Sequence, residues 1–195
     1  MKAIILSGGF GTTLDKDIRR ELERDPTSSY GAYLGLPKVL VPVQGRALLD
    51  YWIDIIRRQP EIDDIYIMTN GLHRQQFKTW ARSSEFPLDN IVSNGVMANE
   101  QRLGAVADMY WVVRERFIAD DLLVVASDVM FTRSFDLGLI LNYFHEKCGE
   151  VVTRLQVADE MVSKTGILEL DAQERIVGFL EHPSPGATAP RWSCP

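Results

Sequence analysis

The stretch Lys2-Ala-Ile-Ile-Leu-Ser-Gly-Gly-Phe-Gly-Thr-Thr-Leu14 decides the fold class. An apolar, β-forming run passes directly into a loop that is rich in glycine. A strand followed by such a loop is typical of the first β–α unit of an open α/β sheet, which binds ligands at the carboxyl ends of its strands. Because glycine lets backbone N–H groups come close to phosphate oxygens, the loop predicts an anion site.

Two familiar phosphate-binding motifs do not fit this loop. A GxGxxG fingerprint that starts at Gly9 requires glycine at position 14, where the chain has leucine. No Gly-Lys-Ser/Thr follows, as a P-loop requires. A dinucleotide-dependent oxidoreductase is therefore a distant alternative, and a merely tight β–α turn is the competing explanation for the glycines.

Strand and helix patterns alternate along most of the chain. Their order predicts a doubly wound, mostly parallel α/β sheet. The predicted strands are Lys2–Ser7, Asp64–Thr69, Asn90–Ser93 and Leu122–Ser127, the last nearly all apolar, as expected where both faces of a strand are covered. Three-and-four spacing of apolar residues predicts helices around 48–56, 72–81, 103–117 and 135–147, and Asp15–Arg24 is predicted to be a charged helix.

The pattern changes after residue 150. Val151–Val157, Thr165–Leu170 and Arg175–Leu180 are predicted strands, the last two joined by a polar turn into a C-terminal hairpin. Residues 182–195 are rich in proline and lack periodicity. We therefore expect one domain over residues 1–181 and a tail over residues 182–195 that is loop or disordered.

Composition is that of an ordinary globular protein. The 195 residues are 46% hydrophobic and 25% charged, with a net charge of −6. An acidic chain lacks the basic field that drives nucleic-acid binding, so we expect no nucleic-acid partner. Cys148 and Cys194 form no metal-ligand spacing, and no apolar run is long enough for a signal peptide or membrane span. We expect a cytoplasmic protein without a membrane partner; a homo-oligomer remains an option.

A second segment, around Lys38, helps to interpret the glycine loop. Lys38 stands between Pro37 and Pro42 in an otherwise apolar run, which fixes a cation where packing does not require one. Together with the loop, this segment resembles the GGxGTRL and PKxLxPV motifs of the sugar-1-phosphate nucleotidyltransferases. Further segments resemble that family's motifs in the family's order: Gly45-Arg46-Ala47, Asn99–Ala105, Ser127–Phe131, Thr165-Gly166-Ile167 and Val177–Pro183.

The resemblance implies a Rossmann-like nucleotide-diphospho-sugar transferase fold and transfer of a nucleotidyl group from a nucleoside triphosphate to a sugar 1-phosphate, with release of pyrophosphate. Mg²⁺ is the implied cofactor. The implied roles are as follows: Gly8, Gly9, Gly11 and Thr12 hold the triphosphate and base, Glu100 and Gly104 border the base, Lys38 contacts phosphates at the reacting centre, Asp128 binds Mg²⁺, and Gly166 with Glu181 faces the sugar.

Several of these residues also have a simpler explanation. Asp128 could cap the turn after its strand, and Lys38 could be a solvated surface lysine. Glu100, at the start of a helix, could be N-terminal charge. His73, His145 and His182 are not clustered in the sequence and do not indicate a metal site.

Two positions depart from the family pattern. Thr13 stands where the motif has the arginine expected to stabilise the departing pyrophosphate, and His182 stands where it has the lysine expected to grip the acceptor phosphate. Loss of one donor aimed at transition-state charge typically costs a hundredfold or more in rate, about 3–4 kcal/mol. The alternative is therefore a weak or inactive member that binds nucleotide or nucleotide sugar as a regulatory domain. Arg19, Arg20 and Arg102 are candidates to replace the missing guanidinium.

Length bears on the same question. Catalytic cores of the family resembled continue past the segment that corresponds to Glu181–Pro183, whereas this chain ends at Pro195. We therefore expect a nucleotide-binding portion with a shortened acceptor side, as a fragment, a shortened product or a minimal member.

Overall fold

The computed structural model describes residues 1–130, 135–163, 165–181, 183 and 192–193. The chain folds into two compact units, Met1–Leu137 and Gly138–Pro195. The strands are β1 (Lys2–Ser7), β2 (Pro42–Val43), β3 (Arg46–Ala47), β4 (Asp64–Thr69), β5 (Ile91–Ser93), β6 (Leu122–Ala126), β7 (Leu155–Gln156), β8 (Gly166–Leu170), β9 (Ile176–Glu181) and β10 (Trp192–Ser193). The α-helices are α1 (Thr12–Arg24), α2 (Leu48–Arg57), α3 (Arg74–Ser83), α4 (Ala105–Glu115), α5 (Leu137–Lys147) and α6 (Asp159–Val162).

A parallel sheet with the order β5-β4-β1-β6 forms the centre of the first unit. The prediction of an α/β fold with a parallel sheet is confirmed, and its four strands match the predicted ones to within a residue at each end. Ile4 and Met68 are fully buried and form one core cluster with Val92 of β5 and Val112 of α4. The apolar β6 is an edge strand in this sheet, and Val124 is 40% exposed, so the expectation that both of its faces are covered is wrong there.

The strand order determines which edge of the sheet is expected to bind ligands. From β1 the chain crosses to β4 and β5 on one side, then returns to place β6 on the other. The loops that leave β1 and β6 therefore border a crevice at the carboxyl edge of the sheet, the position at which open α/β sheets bind ligands.

The segment that carries Lys38 is more structured than the sequence indicated. A single 3₁₀ turn, Lys38–Leu40, buries Val39 and Leu40 and leaves Lys38 exposed. The β2–β3 hairpin follows, and its two turn residues, Gln44 and Gly45, have φ of 51° and 83°. Positive φ at both positions is what a tight hairpin of this kind requires, and it explains the glycine.

Helix α4 differs from its prediction in what it buries. It begins at Ala105, after Gly104 with φ of 90°, and its buried residue is Val112. Trp111 packs against the core cluster, whereas the neighbouring Tyr110 is 61% exposed. The apolar residues of α4 are spread around the helix rather than confined to one face. Their spacing therefore predicts a helix but does not indicate which of them are buried.

The second unit contains an antiparallel sheet with the order β7-β10-β8-β9. The predicted C-terminal hairpin is β8–β9, and the side chain and backbone of Asp171 hold its turn through Arg175. The strand predicted over Val151–Val157 is shorter than expected and consists of β7 alone.

The described part of the C-terminal tail includes a regular element. Trp192 and Ser193, which lie in the segment expected to lack regular structure, form β10 instead. Trp192 stacks against the Arg154 guanidinium, and Ser193 is buried. The other tail residues, apart from Pro183, lie outside the described residues.

Among the described residues, none of the helices is both long and apolar enough to cross a lipid bilayer.

Candidate functional site

The glycine loop after β1 is held in place by hydrogen bonds from a buried side chain. Asn70, directly after β4, donates through Nδ2 to the carbonyl oxygens of Gly8 and Gly9, at 3.1 and 3.2 Å. Its Oδ1 accepts from the His73 N–H at 2.8 Å, which fixes the orientation of the amide. Because a trans peptide places C=O and the following N–H on opposite sides, the N–H groups of Gly9 and Phe10 point away from Asn70, as an anion site requires.

His73 completes this support. It is buried beside Asn70, and its ring lies 6.1 Å from that of Phe10. Burial lowers the pKa of the His73 imidazole, an effect that a hydrogen bond to the Gly9 backbone and the charge of Asp15 partly oppose. A neutral imidazole is therefore the form that the native state favours. Asn70 and His73 are not among the site residues that the sequence predicts; the available signal was a polar pair directly after a buried strand.

Two adjoining clefts open at this edge of the sheet. The larger, of about 610 Å³, brings together four residues that the sequence assigned to nucleotide binding. The smaller, of about 340 Å³, brings together the remaining two and the residues expected at the reacting centre. Gly8, Gly9, Glu100 and Gly104 line the first cleft, and Gly11, Thr12, Lys38 and Asp128 line the second.

Lys38 and Asp128 form an ion pair in the smaller cleft. The Lys38 Nζ lies 3.1 Å from the Asp128 Oδ2, and both side chains are about half exposed. Asp128 follows β6, where the Trp52 Nε1 donates to the Val129 carbonyl at 3.0 Å and so fixes the turn. A cation and an anion thus stand side by side at the carboxyl edge of the sheet.

Arg102 is an arginine that the fold places at both clefts. It lines both clefts, is exposed, and has no ion-pair partner among the described residues. Thr13 lines the smaller cleft from the first turn of α1. Neither Arg19 nor Arg20 lines either cleft. Of the three arginines considered as replacements for the one missing at position 13, Arg102 is therefore the one with access to the site.

Asp108 is a further residue of the larger cleft, and the sequence patterns do not single it out. It lies in the first turn of α4, and its Oδ1 accepts from the Asn94 Nδ2 at 2.8 Å. Burial raises the pKa of this carboxyl, and the Asn94 hydrogen bond partly opposes the rise. A methyl group at Gly8 would lie 2.7 Å from the Asp108 Oδ2, so the glycine permits the carboxylate to approach the loop.

Gly166 and Glu181 belong to the second unit, where the β8–β9 register pairs them directly. The Phe179 ring covers Gly166, so that any side chain there would collide with it. An aromatic ring over a strand glycine is a recognised way of stabilising a hairpin, and it gives Gly166 a structural role. His182, the departure from the family's lysine, lies outside the described residues.

The donor set suits Mg²⁺ in a limited way. No group of three or more His, Cys, Asp or Glu side chains in the described parts of the chain could hold a metal ion by itself. Mg²⁺ keeps several waters and is commonly bound by one or two carboxylates plus substrate phosphates. The exposed Asp128 carboxylate, beside a predicted phosphate site, fits that arrangement.

Comparison with known proteins supplies the family. The family model described as nucleotidyl transferase matches residues 34–190. The chain belongs to the nucleotidyl transferase family. A Sulfolobus acidocaldarius protein named as a putative mannose-1-phosphate guanyltransferase is 29% identical over 185 residues, which are 94% of this chain and 44% of that protein. The chain thus spans less than half the length of this curated relative.

Solved structures agree at the level of the fold. A UDP-glucose pyrophosphorylase complexed with UDP-glucose superposes with a TM-score of 0.64 at 16% identity, over 99% of this chain and 73% of that one. An apo UDP-glucose pyrophosphorylase gives a TM-score of 0.67 at 15% identity, over 100% and 74% of the two chains. The fold expected from the sequence resemblance is therefore confirmed.

Proposed function

We propose that this chain transfers a nucleotidyl group from a nucleoside triphosphate to a sugar 1-phosphate and releases pyrophosphate. One observation carries the proposal: a glycine loop with outward N–H groups, a lysine, an arginine and a carboxylate line adjoining clefts at the carboxyl edge of one sheet. Membership of the nucleotidyl transferase family supports it.

The proposed reaction requires no covalent bond between the protein and its substrates. An oxygen of the sugar 1-phosphate attacks the α-phosphorus, the bond from that phosphorus to the bridging oxygen of the β-phosphate breaks, and pyrophosphate leaves with the bond electrons. The nucleophile is already ionised, so no general base is needed. Catalysis then consists of bringing two anions together in line and neutralising the charge that develops.

The residues divide this work by position. The N–H groups of Gly9 and Phe10 face away from their Asn70 anchor and donate to phosphate oxygens. Lys38 neutralises charge at the reacting phosphate. Arg102 supplies to the departing pyrophosphate the guanidinium that Thr13 does not, because it lines the same cleft as Thr13 and has no competing ion pair among the described residues.

Asp128 is the residue that would hold Mg²⁺. Mg²⁺ held there would supply positive charge that neutralises the phosphates. The Asp128 carboxylate accepts a hydrogen bond from Lys38, so Lys38 must turn from Asp128 to phosphate when substrate binds. This exchange costs little, because an exposed ion pair is worth about 0–1 kcal/mol.

The residues expected to face the sugar belong to the second unit. We propose that Glu181 and the backbone at Gly166, which are paired across β8 and β9, contact the sugar. An exposed carboxylate suits sugar hydroxyls, which donate hydrogen bonds to it.

A second candidate function follows from Thr13. If Arg102 does not reach the leaving group, the chain binds a nucleotide or nucleotide sugar without turning it over and acts as a regulatory domain. The loop, its anchor and the larger cleft would serve that role unchanged.

Pyrophosphate release separates the two. The full chain is incubated with Mg²⁺, each common nucleoside triphosphate and a panel of sugar 1-phosphates. Release that requires both substrates supports the transferase. Binding of a triphosphate, measured by calorimetry, without any release supports the regulatory domain, and the absence of both binding and release contradicts both functions.

A further inference from the structure

Asp108 is held at the wall of the larger cleft. It lies in the first turn of α4, where the helix dipole favours a carboxylate, and its side chain is also partly buried. Its pKa is raised because it is partly buried, so keeping the charge there is unfavourable for the free protein. A partly buried carboxylate of this kind in a cleft is a candidate for ligand binding.

The position of the carboxylate is tightly set. Asn94 Oδ1 accepts from the Val96 N–H at 2.9 Å, which orients its amide so that Nδ2 donates to the Asp108 Oδ1. Thr69 accepts from the Asn94 N–H through its carbonyl at 3.2 Å and fixes the loop itself. The Asp108 Oδ2 receives no hydrogen bond from the described residues and lies against Gly8, at the wall of the larger cleft.

We propose that Asp108 selects the base of the nucleotide by accepting the two adjacent N–H groups of guanine. This inference rests on the proposed function and narrows it to guanine nucleoside triphosphates. Each carboxylate oxygen has two lone pairs, so the Asp108 Oδ1 can accept from the ligand while it accepts from Asn94. Two charge-assisted hydrogen bonds side by side are among the stronger contacts that a protein offers to a neutral ligand.

The other bases fit the carboxylate less well. Guanine presents N1–H and the 2-amino group next to each other. Uracil and thymine present one N–H between two carbonyl oxygens, which a carboxylate repels. Adenine and cytosine present an amino group next to an acceptor nitrogen. A site built to accept hydrogen bonds discriminates strongly against analogues that lack the donors, because its own polar groups are then left unpaired.

The test measures binding of GTP, ITP, UTP and ATP to the full chain by calorimetry with Mg²⁺. ITP keeps N1–H but lacks the 2-amino group, so we expect GTP to bind about ten- to a hundredfold more tightly than ITP, and UTP and ATP more weakly still. Asp108→Asn keeps the acceptor for Asn94 but removes the charge, and it should abolish the difference between GTP and ITP. Its thermal unfolding shows whether the variant is folded.

Asp121→Asn is the matched control. Asp121 is exposed and precedes β6 at the opposite edge of the sheet, so the preference for GTP should be unchanged. Tight binding of UTP or ATP in preference to GTP would overturn the inference and leave the proposed function intact. A folded Asp108→Asn variant that still prefers GTP to ITP as strongly as the wild type would also overturn the inference and leave the proposed function intact. Failure to bind any triphosphate, together with no pyrophosphate release, counts against the proposed function itself.

Discussion

The Lys38 ammonium and the Asp128 carboxylate lie 3.1 Å apart, although 90 positions separate them in the chain. The 3₁₀ turn after Pro37 presents the first, and the turn after β6 presents the second. The parallel sheet brings the two segments together because its strand order reverses at β1. We therefore place the reacting centre of the proposed transfer at this pair.

Removal of Lys38 should slow transfer severely without unfolding the protein. We expect Lys38→Ala to lower kcat/KM by about a hundred- to a thousandfold, the usual cost of losing one electrostatic donor. The free energy of unfolding should change by less than about 1 kcal/mol, because the pair is exposed. Steady-state pyrophosphate release and urea unfolding measure the two effects. Lys78→Ala, on α3 and outside both clefts, should retain wild-type kinetics; equal losses in both variants would argue against a role for Lys38.

Asn70 should couple stability to nucleotide affinity. Asn70→Ala leaves two glycine carbonyls and the His73 N–H without their partner, and we expect a loss of about 1–3 kcal/mol in stability. The KM for the triphosphate should rise as well, because the loop loses its anchor. Asn90→Ala removes a comparable side-chain bond to the Ile65 carbonyl, away from the loop. It should lower stability alone, and a similar rise in its KM would show that loss of stability, not of the anchor, is responsible.

Arg102 and position 13 should substitute for each other. Arg102→Ala is expected to lower kcat by about a hundredfold or more if its guanidinium stabilises the leaving group. Addition of Thr13→Arg should then restore most of the rate, since both positions line the smaller cleft. Arg114→Ala, on the exposed part of α4, is the control for loss of a positive charge. A fully active Arg102→Ala variant would contradict the assignment.

Acid should destabilise the loop through His73. Its pKa is lowered from an ordinary value of 6.5, chiefly by burial, so the native state favours the neutral ring. The stabilising contribution is present above about pH 6.5 and is lost as the pH falls towards the native-state pKa, because the unfolded chain takes up the proton first. Urea unfolding from about pH 8 to about pH 5 should show this fall, and His73→Gln should flatten it. A slope that persists unchanged in a folded His73→Gln variant would contradict this assignment.

The sequence predicted those parts of the molecule that repeat or follow a motif. Apolar strands set the sheet, and the glycine loop, Lys38 and Asp128 then had to meet at its carboxyl edge. It could not predict Asn70 and Asp108, because each is a single polar residue whose role depends on what the fold places opposite it. The last strand, Trp192–Ser193, forms because β7 and β8 offer it partners, which a local pattern in a proline-rich tail does not reveal.

Isotope tracing tests nucleotidyl transfer most directly. A sugar 1-phosphate labelled with ¹⁸O in its phosphate is incubated with the full chain, Mg²⁺ and a nucleoside triphosphate, and the products are followed by ³¹P NMR. Attack of the sugar phosphate on the α-phosphorus predicts that all of the label appears in the nucleotide sugar, one atom of it between the two phosphorus atoms, and that pyrophosphate is unlabelled. Label in the pyrophosphate, or no nucleotide sugar from any pair of substrates, would contradict the proposed reaction.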